Sequence, residues 1–256
     1  MVSENILTIE ALVVAYGKKR VVHEVNFSVK RGEILIIAGE SGSGKSTILK
    51  AIGGLLGKGG AIIGGQIFFD GKEITNLPDG ERRKISGDLI GMIFQNAGAS
   101  FCPIRTIGTQ IFESVLAHRA WSSKEFRKRA EDIMHKINLA PEVLDEYPFR
   151  LSGGMAQRAG ILAATILEPK LLLADEPTSA LDVVTQLGVV KELLKLRERQ
   201  KISIVLVTHD LRVAKKMADK ILIMKNGAAV EFGTREQIFN APQEIYTQEL
   251  LRAGYF

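Results

Sequence analysis

Cysteine and long apolar runs are what this sequence has least of. Cys102 is the single cysteine among 256 residues, so the chain alone builds no disulfide, zinc cluster or iron–sulfur cluster. The longest apolar stretch, "ILAATILEPKLLLA", is interrupted at Glu168 to Lys170 and falls short of the ~18 apolar residues that span a bilayer. No basic segment precedes an apolar run at the start, which predicts no signal peptide. We therefore expect a protein of a reducing cytosol that does not itself cross a membrane.

Blocks of like charge and histidine pairs are also missing. The net charge is +5, which permits contact with nucleotides, nucleic acid or an anionic membrane surface. Basic clusters such as "KKR" and "RKR" are interleaved with acidic residues, however, as is typical of solvated faces. His23, His118 and His135 show no metal-ligand spacing, so we expect surface or packing roles for them. The sequence thus predicts neither a nucleic-acid partner nor a histidine metal site.

The apolar patterns that are present predict an α/β fold with a mainly parallel sheet. Alternating segments and the buried run "EILIIAG" predict strands in the first hundred residues. From about 105 to 168 the spacing becomes helical, with Ser122 or Ser123 as the N-cap of one helix. Strands and helices then alternate, which implies parallel strands covered on both faces.

Two glycine-bearing stretches are interpreted as connections. Residues 53–65, "GGLLGKGGAIIGG", are predicted to be flexible, with glycines that serve turns. Asn226 and Gly227 predict the turn of a hairpin near the end of the chain.

The stretch "GESGSGKST", from Gly39 to Thr47, matches the phosphate-binding pattern G-x-x-x-x-G-K-S. It follows an apolar strand and opens a helix, so backbone N–H groups and the helix dipole can converge on phosphates. The predicted ligand-binding residues are Gly39, Ser41, Gly42, Ser43, Gly44, Lys45, Ser46 and Thr47. Lys45 can reach the β- and γ-phosphates, and the Ser46 hydroxyl can coordinate Mg²⁺. The competing interpretation is a glycine turn with an incidental lysine.

The apolar run "LLLADE" ends in two acids, Asp175 and Glu176. A carboxylate at the end of a buried strand is costly unless it has a partner such as Mg²⁺. Glu176 is then placed to orient the attacking water or accept its proton. Alternatively, the two acids only cap the next turn, an interpretation that the phosphate motif in the same chain disfavours.

Six motifs together resemble those of the ABC-type ATPases, over about residues 6–251. They occur in the order that is typical of that family: "GESGSGKST", Gln95 after "MIF", "LSGG" at 151–154, "LLLADEP", "SALD" at 179–182, and His209 in "VTHD". Finer features, among them "YPFRLSGGMAQR" and "IFNAPQEIYTQELL", are similar to the ATP-binding subunits of peptide, nickel and opine-metallophore importers.

The resemblance implies a fold and a domain organisation. The expected fold is a P-loop NTPase cassette with a mainly parallel core sheet, an antiparallel β subdomain and a helical subdomain. A single domain over 1–256 would comprise a nucleotide-binding lobe of about 1–95 and 169–256, and a helical signature lobe of about 96–168.

The resemblance also assigns residue roles. It implies that Tyr16 stacks on adenine, although a tyrosine that merely ends a strand is the plain alternative. Gln95 would reach Mg²⁺ or the attacking water and connect the two lobes. His209 would contact the γ-phosphate, and Asp182 would communicate across a dimer. With Lys45 and Glu176, Gln95 and His209 form the expected catalytic set; Ser46, Gln95 and Asp175 form the expected Mg²⁺ set.

The segment "LSGG" poses a separate question, since the chain already has a phosphate loop. In the family that it resembles, two ATPase units face head to tail, so Ser152, Gly153 and Gly154 would bind the nucleotide held by the partner. Met155 replaces the more common glutamine, as is familiar in the importer group. ATP and Mg²⁺ are the implied cofactors.

The implied partners are integral-membrane permease subunits, a second and different ATPase chain, and indirectly an extracytoplasmic solute-binding protein. The implied location is the cytoplasmic face of the cell membrane. Longer peptide-importer ATPases carry a cysteine-bearing tail that this sequence does not show, which favours nickel or metallophore import over peptide import. The alternatives left open are an accessory ATPase of phosphonate breakdown and a soluble ATPase of nucleic-acid metabolism.

Overall fold

The computed structural model describes residues 4–179 and 181–253, with the backbone alone for residues 183 and 184. The ends of the predicted domain, residues 1 and 256, and Ala180 of "SALD" lie outside the described residues. The strands are β1 (Asn5–Tyr16), β2 (Lys19–Lys30), β3 (Ile34–Gly39), β4 (Gly60–Phe69), β5 (Lys72–Glu73), β6 (Ile90–Ile93), β7 (Leu171–Asp175), β8 (Ser203–Val207), β9 (Lys220–Lys225) and β10 (Ala228–Thr234).

The α-helices connect and cover these strands. They are α1 (Lys45–Gly53), α2 (Asp79–Ile85), α3 (Ile107–Leu116), α4 (Ser123–Lys136), α5 (Gly153–Thr165), α6 (Val183–Gln200), α7 (Leu211–Met217), α8 (Arg235–Asn240) and α9 (Ile245–Ala253). Three short 3₁₀ turns lie between β6 and α5. In the part of the chain that the structure describes, no helix is long and apolar enough to span a membrane.

Two sheets form the frame of the molecule. The larger has the strand order β10-β9-β3-β8-β7-β6, in which all neighbours are parallel except the β9–β10 hairpin. The smaller has the order β2-β1-β4-β5 and is antiparallel throughout. The predicted α/β architecture, with a parallel core sheet, an antiparallel sheet and a helical segment between β6 and β7, is confirmed.

The central strand β3 shows how one sheet supports two cores. Side chains alternate between the faces of a strand, and Ile34 and Ile36 join one apolar cluster whereas Leu35 and Ile37 join the other. The first cluster contains the helices α3 to α7, and the second contains α1 and the small antiparallel sheet. Because both faces are covered, β3 is buried along its whole length, as a parallel strand requires.

The prediction for residues 53–65 was wrong in part. Residues from Gly60 onward form the first half of β4, which pairs with the end of β1. A bulge in β1 makes this pairing possible, since Gly65 approaches Ala11 so closely that a β-carbon would lie 2.3 Å from the Ala11 carbonyl oxygen. The glycines there allow close strand contact, which their turn-like composition concealed.

The other local predictions hold, but the sequence did not predict three short helices, α2, α8 and α9. Ser122 is the N-cap of α4, where its side chain accepts a hydrogen bond from the Glu125 N–H. Asn226 and Gly227 both have positive φ angles, 49° and 83°, as a tight hairpin turn between β9 and β10 requires. The C-terminal helices α8 and α9 lie in the stretch from which the sequence contributes only a family motif.

Candidate functional site

The candidate site lies at one edge of the parallel sheet. The carboxyl ends of parallel strands meet at the same edge, which is where ligands bind in such sheets. The phosphate loop follows β3, Gln95 follows β6, Glu176 follows β7 and His209 follows β8. Sheet order alone therefore brings together four segments that are far apart in sequence.

Glycine is required at two positions of the phosphate loop. Gly39 has a φ of 145°, and a β-carbon there would lie 2.1 Å from the Met224 carbonyl oxygen. Gly44 caps α1 with a φ of 96°, and its β-carbon would lie 2.9 Å from the Val21 carbonyl oxygen. No other residue fits such close backbone approaches. The loop thus packs against β2 and β9 while its N–H groups stay at the start of α1.

Lys45 is buried inside this loop, with 4% of its surface exposed. Its ammonium group donates to the carbonyl oxygens of Gly39 at 2.9 Å and Glu40 at 2.6 Å. Burial lowers the pKa of Lys45, and the nearby carboxylates of Glu176 and Asp175 oppose that shift. The chain therefore holds a charged donor where an anion would bind.

Ser46 and Asp175 form a pair beside the lysine. The Ser46 hydroxyl donates to a carboxylate oxygen of Asp175 at 2.6 Å. Burial raises the pKa of Asp175, which the Ser46 hydrogen bond partly offsets. Such a desolvated carboxylate is stabilised when a cation lies beside it.

The polar side chains of the site fit a Mg²⁺ ion that is bound jointly by the protein and by the phosphates of a nucleotide. No cluster of three or more histidine, cysteine or acidic side chains able to hold a metal occurs within the described residues. Mg²⁺ is usually held by one or two carboxylates together with substrate phosphates. A hydroxyl, a buried carboxylate and the amide of Gln95 beside a phosphate loop match that arrangement.

Glu176 lies between two of the predicted catalytic side chains. Its Oε2 accepts a hydrogen bond from Gln95 Nε2 at 3.1 Å, and its Oε1 lies 3.2 Å from His209 Nδ1. The Glu176 side chain is mostly buried at 17% exposure, whereas that of His209 is 60% exposed. The arrangement fixes one carboxylate from two sides while the imidazole stays accessible to a ligand.

These groups surround a cleft, here called the phosphate-loop cleft, with a volume of about 560 Å³. Its lining consists of Val21, Ser41, Gly42, Gly44, Lys45, Ser46, Thr47, Gln95, Glu176 and His209. Nine of these ten were predicted from the sequence, and Val21 was not. Gly39, Ser43 and Asp175 lie behind the lining as supports of Lys45 and Ser46.

Tyr16 and the segment Ser152 to Gly154 lie outside this lining. Tyr16 ends β1, where its ring packs so closely on Gly60 that a β-carbon there would lie 2.8 Å from Tyr16 Cε1. Ser152 is the exposed N-cap of α5, with its hydroxyl accepting from the Met155 N–H at 3.3 Å. The chain does not bring "LSGG" to its own phosphate loop.

Asp182 lies close to the "LSGG" helix, before α6. Its carboxylate accepts hydrogen bonds from the N–H and the hydroxyl of Thr185, at 3.1 and 2.6 Å. A β-carbon on Gly154 would lie 3.0 Å from Thr185 Cγ2, so the start of α5 and the start of α6 are in contact. Asp182 and Gly154 are thereby fixed relative to each other.

A second cavity of about 540 Å³, here called the neighbouring groove, adjoins the cleft. Gln95 lines both, and Phe101, Phe149 and Leu151 supply apolar surface to the groove. Phe149 is 71% exposed and its ring stacks on Tyr147 at a centroid distance of 5.6 Å. Exposed aromatic side chains beside a groove are typical of a protein-binding surface.

Sequence reasoning missed two polar contacts of the site. Ser179 Oγ lies 3.5 Å from Gln95 Nε2 and is a second partner for that amide. The Tyr246 hydroxyl of α9 accepts from the Glu40 N–H of the phosphate loop at 3.4 Å. The helical spacing of "IYTQELL" could have predicted α9, but no sequence signal connects it with Glu40.

Comparison with known proteins shows which family this chain is similar to. The ABC transporter family model matches residues 22–179. The dipeptide transport ATP-binding protein of Escherichia coli is 40% identical over 254 residues, which cover 97% of this chain and 78% of that protein. The metal-staphylopine import system ATP-binding protein of Staphylococcus aureus is 38% identical over 255 residues, which cover 96% and 92%.

Among solved structures, an ATP-binding cassette determined as a dimer in a post-hydrolysis state with ADP and phosphate is 31% identical. Its TM-score is 0.80, and the match covers 90% of this chain and 98% of that one. Because the family model covers more than half of the chain and relatives of about 40% identity match nearly all of it, this chain belongs to the ABC transporter family.

Proposed function

We propose that this chain is the ATP-hydrolysing subunit of a membrane importer, and that the phosphate-loop cleft is its catalytic site. The observation that carries the proposal is the convergence of Lys45, Ser46, Gln95, Glu176 and His209 on one cleft. Membership of the family, whose transport ATP-binding subunits are ATPases, supports the same conclusion. The remaining question is what each residue contributes.

Nucleotide binding depends on the phosphate loop. The N–H groups at the start of α1 and the ammonium group of Lys45 attract the β- and γ-phosphates. Ser46, Asp175 and Gln95 would hold Mg²⁺, which supplies positive charge that neutralises the phosphate oxygens. Release of Lys45 from the carbonyl oxygens of Gly39 and Glu40 would let it turn toward the ligand. We assign Tyr16 to the adenine side of the site, beyond the lining of the cleft.

Hydrolysis depends on Glu176. Its carboxylate is held by Gln95 and His209, and a carboxylate held from two sides can orient a water for attack on the γ-phosphate and accept its proton. The exposed ring of His209 can turn from Glu176 to the γ-phosphate, where it stabilises charge. Positioning and electrostatic stabilisation are the main contributions that such a site makes to phosphoryl transfer.

The second half of the catalytic site is supplied by another ATPase subunit. Ser152, Gly153 and Gly154 lie outside the chain's own cleft, and Ser152 is exposed at the N-terminus of α5, where anions bind favourably. A head-to-tail pairing would bring them to the partner's γ-phosphate and place Asp182 at the subunit boundary. The related cassette that was solved as a dimer supports this arrangement. ATP would then stabilise the closed pair, and hydrolysis would open it.

The neighbouring groove is the proposed docking surface for a permease subunit. Gln95 lines both the groove and the phosphate-loop cleft, so a segment seated in the groove can change the position of a catalytic side chain. The subunit would thus act on the cytoplasmic face of the membrane. A solute-binding protein on the other side would take part indirectly.

The cargo we propose is a nickel ion, a metal chelate or a short peptide. The relatives include a dipeptide transport protein and a metal-staphylopine import protein, and the lean toward metal import stays a prediction. Purification with the native membrane partners, followed by transport-coupled ATPase assays with nickel, nickel chelates and short peptides, distinguishes these cargoes. Stimulation by a single class identifies it.

The assignment of Glu176 is tested by Glu176→Gln. We expect ATP binding to be retained and steady-state turnover to fall by at least about 100-fold, since the variant keeps the hydrogen bond from Gln95 but loses the base. Size-exclusion chromatography with ATP should then show a trapped dimer.

The matched control is Glu73→Gln, which neutralises an exposed acid on β5, outside the cleft lining. Its turnover should stay within about twofold of wild type. If Glu176→Gln keeps wild-type turnover, the assignment is wrong.

A further inference from the structure

The C-terminal helix α9 touches the phosphate loop from outside the cleft. The Tyr246 hydroxyl accepts a hydrogen bond from the Glu40 N–H at 3.4 Å, and Glu40 directly follows the last residue of β3. Tyr246 is nearly buried, with 9% of its surface exposed. A residue 206 positions away in sequence therefore supports the loop at its first turn.

Tyr246 is itself held in place by its surroundings. The Lys225 ammonium group lies 4.2 Å from the centre of the Tyr246 ring, on the strand that precedes the β9–β10 turn. Burial raises the pKa of Tyr246, so the phenol stays protonated and can donate as well as accept. The Tyr246 ring packs against Lys225, and its hydroxyl contacts the Glu40 N–H of the phosphate loop.

The helix that carries Tyr246 is anchored to the sheet. The Glu231 carboxylate of β10 accepts hydrogen bonds from the N–H groups of Gln243 at 2.8 Å and Glu244 at 3.2 Å, just before α9 begins. The side chain of Gln248 donates to the Pro242 carbonyl oxygen at 3.1 Å. Because hydrogen bonds to a charged group are the stronger kind, Glu231 fixes the start of α9 against the edge strand.

The backbone of Glu40 makes hydrogen bonds with two side chains, those of Lys45 and Tyr246. Lys45 donates to its carbonyl oxygen at 2.6 Å, and Tyr246 accepts from its N–H. If Lys45 turned toward bound phosphates, its hydrogen bond to the Glu40 carbonyl oxygen would be lost, while the contact between Tyr246 and the Glu40 N–H would remain. A loop that keeps its shape loses less conformational entropy on binding and therefore binds more tightly.

We propose that Tyr246 is a positioning residue that holds the phosphate loop in its binding shape from outside the cleft, through Glu40, and that Glu231 holds Tyr246 in place. This inference rests on the proposed nucleotide site. It adds a contribution from α9 to nucleotide affinity, although α9 contributes no side chain to the lining of the cleft.

The test is Tyr246→Phe, which keeps the ring and its contact with Lys225 and removes only the hydroxyl. We expect the Kd for ADP with Mg²⁺, measured by calorimetry on the full chain, to rise about three- to tenfold, the loss that one hydrogen bond accounts for. The KM for ATP should rise in parallel while kcat stays within about twofold. The melting temperature without nucleotide should stay within about 2 °C of wild type.

The matched control is Thr247→Val in the same helix. Thr247 is fully buried, and its hydroxyl has no hydrogen-bond partner among the described residues, so its isosteric replacement should leave the Kd unchanged. Glu231→Ala should raise the Kd for ADP, as Tyr246→Phe does. The Kd of the double variant should not exceed the larger of the two single-variant Kd values, because both substitutions act on the same contact.

The outcomes separate the inference from the nucleotide site on which it rests. Wild-type binding of ADP with unchanged Kd in Tyr246→Phe overturns the inference alone. A drop in melting temperature with no change in Kd also overturns it, since the hydroxyl would then serve only packing. A wild-type chain that binds neither ADP nor ATP overturns both the site and the inference.

Discussion

The phosphate loop and the "LSGG" segment both bring glycines and a serine to the start of a helix, yet their surroundings differ. The loop is enclosed by the same chain: β2, β9 and α9 all contact it, and Lys45 is buried within it. The start of α5 is open on its outer side, where Ser152 and Gly153 are exposed. One segment is organised for a ligand by its own chain, and the other presents its polar groups to solvent.

In the proposed head-to-tail arrangement, this difference lets a single chain encode half of a shared site. Polar groups that bind a ligand within one chain are fixed by neighbouring strands, because preorganisation reduces the cost of binding. Groups that bind across an interface must instead be exposed until the partner arrives. Ser152 stays exposed while its hydroxyl accepts a hydrogen bond from the Met155 N–H as the N-cap of α5.

The largest expected effect comes from removing the charge inside the loop. Lys45→Met keeps an apolar stem of similar size but removes the ammonium group that we assign to the phosphates. We expect ATP affinity and turnover to fall at least about 100-fold, or about 2.7 kcal/mol. Calorimetry with a non-hydrolysable ATP analogue and a steady-state ATPase assay measure these two losses.

Lys58→Met serves as the control for Lys45→Met, because Lys58 is exposed after α1 and lies outside the cleft lining. It should change the Kd less than about twofold. Unchanged affinity in Lys45→Met would remove the contrast between the loop and the "LSGG" segment.

A smaller effect is expected from a charge placed on the open segment. Ser152→Asp keeps a good N-cap but puts a negative charge where a partner's γ-phosphate would lie. We expect turnover to fall about tenfold or more because closure is repelled, while the affinity of the isolated chain for ADP stays unchanged. Sedimentation with ATP, in a Glu176→Gln background, measures the loss of the closed pair.

Ser152→Thr is the control for Ser152→Asp, since it keeps the cap and the hydroxyl without adding charge. It should retain most turnover. A normal closed pair in Ser152→Asp would mean that the segment does not cover a nucleotide.

The smallest effect concerns the stability of the apo chain. Because the pKa of Asp175 is raised by burial, the folded state binds a proton more tightly than the unfolded state. The free energy of unfolding therefore falls as pH rises through the window from the usual aspartate range to the raised value, and the whole cost is present above that window. Asp175→Asn should thus raise the melting temperature above that window by about 2 °C and lose the added stabilisation by Mg²⁺ with ATP.

Asp145→Asn is the opposite case within the helical segment. Hydrogen bonding from Arg127 lowers the pKa of Asp145, so its ionised form favours folding above the usual aspartate range. Differential scanning calorimetry should show no gain in melting temperature for this variant. A higher melting temperature for Asp145→Asn, or an unchanged one for Asp175→Asn, would contradict the predicted difference between these two carboxylates.

Much of the site was predictable because its residues lie in short motifs. The spacing from Gly39 to Ser46, after an apolar strand, fixes a strand–loop–helix unit by local rules alone. Gln95 and His209 were found only through resemblance to a family, since 81 residues separate Gln95 from Glu176 and no local pattern joins them. Tyr246 was missed because the contact that gives it a role lies across the fold.

The wrong prediction for residues 60–65 has a similar cause. Glycines there have the composition of a turn, and the close approach of Gly65 to Ala11 that makes them a strand is a tertiary contact.

By itself the sequence determined the phosphate loop, the paired acids and most of the alternation of strands and helices, because hydrophobic periodicity and loop geometry act over a few residues. It did not determine α2, α8, α9 or the first half of β4. Only the tertiary structure decided that four strand ends meet in one cleft, that α9 supports the loop through Tyr246, and that "LSGG" lies outside the cleft of its own chain. These facts depend on strand order and on packing between distant segments, which the pattern of neighbouring residues does not specify.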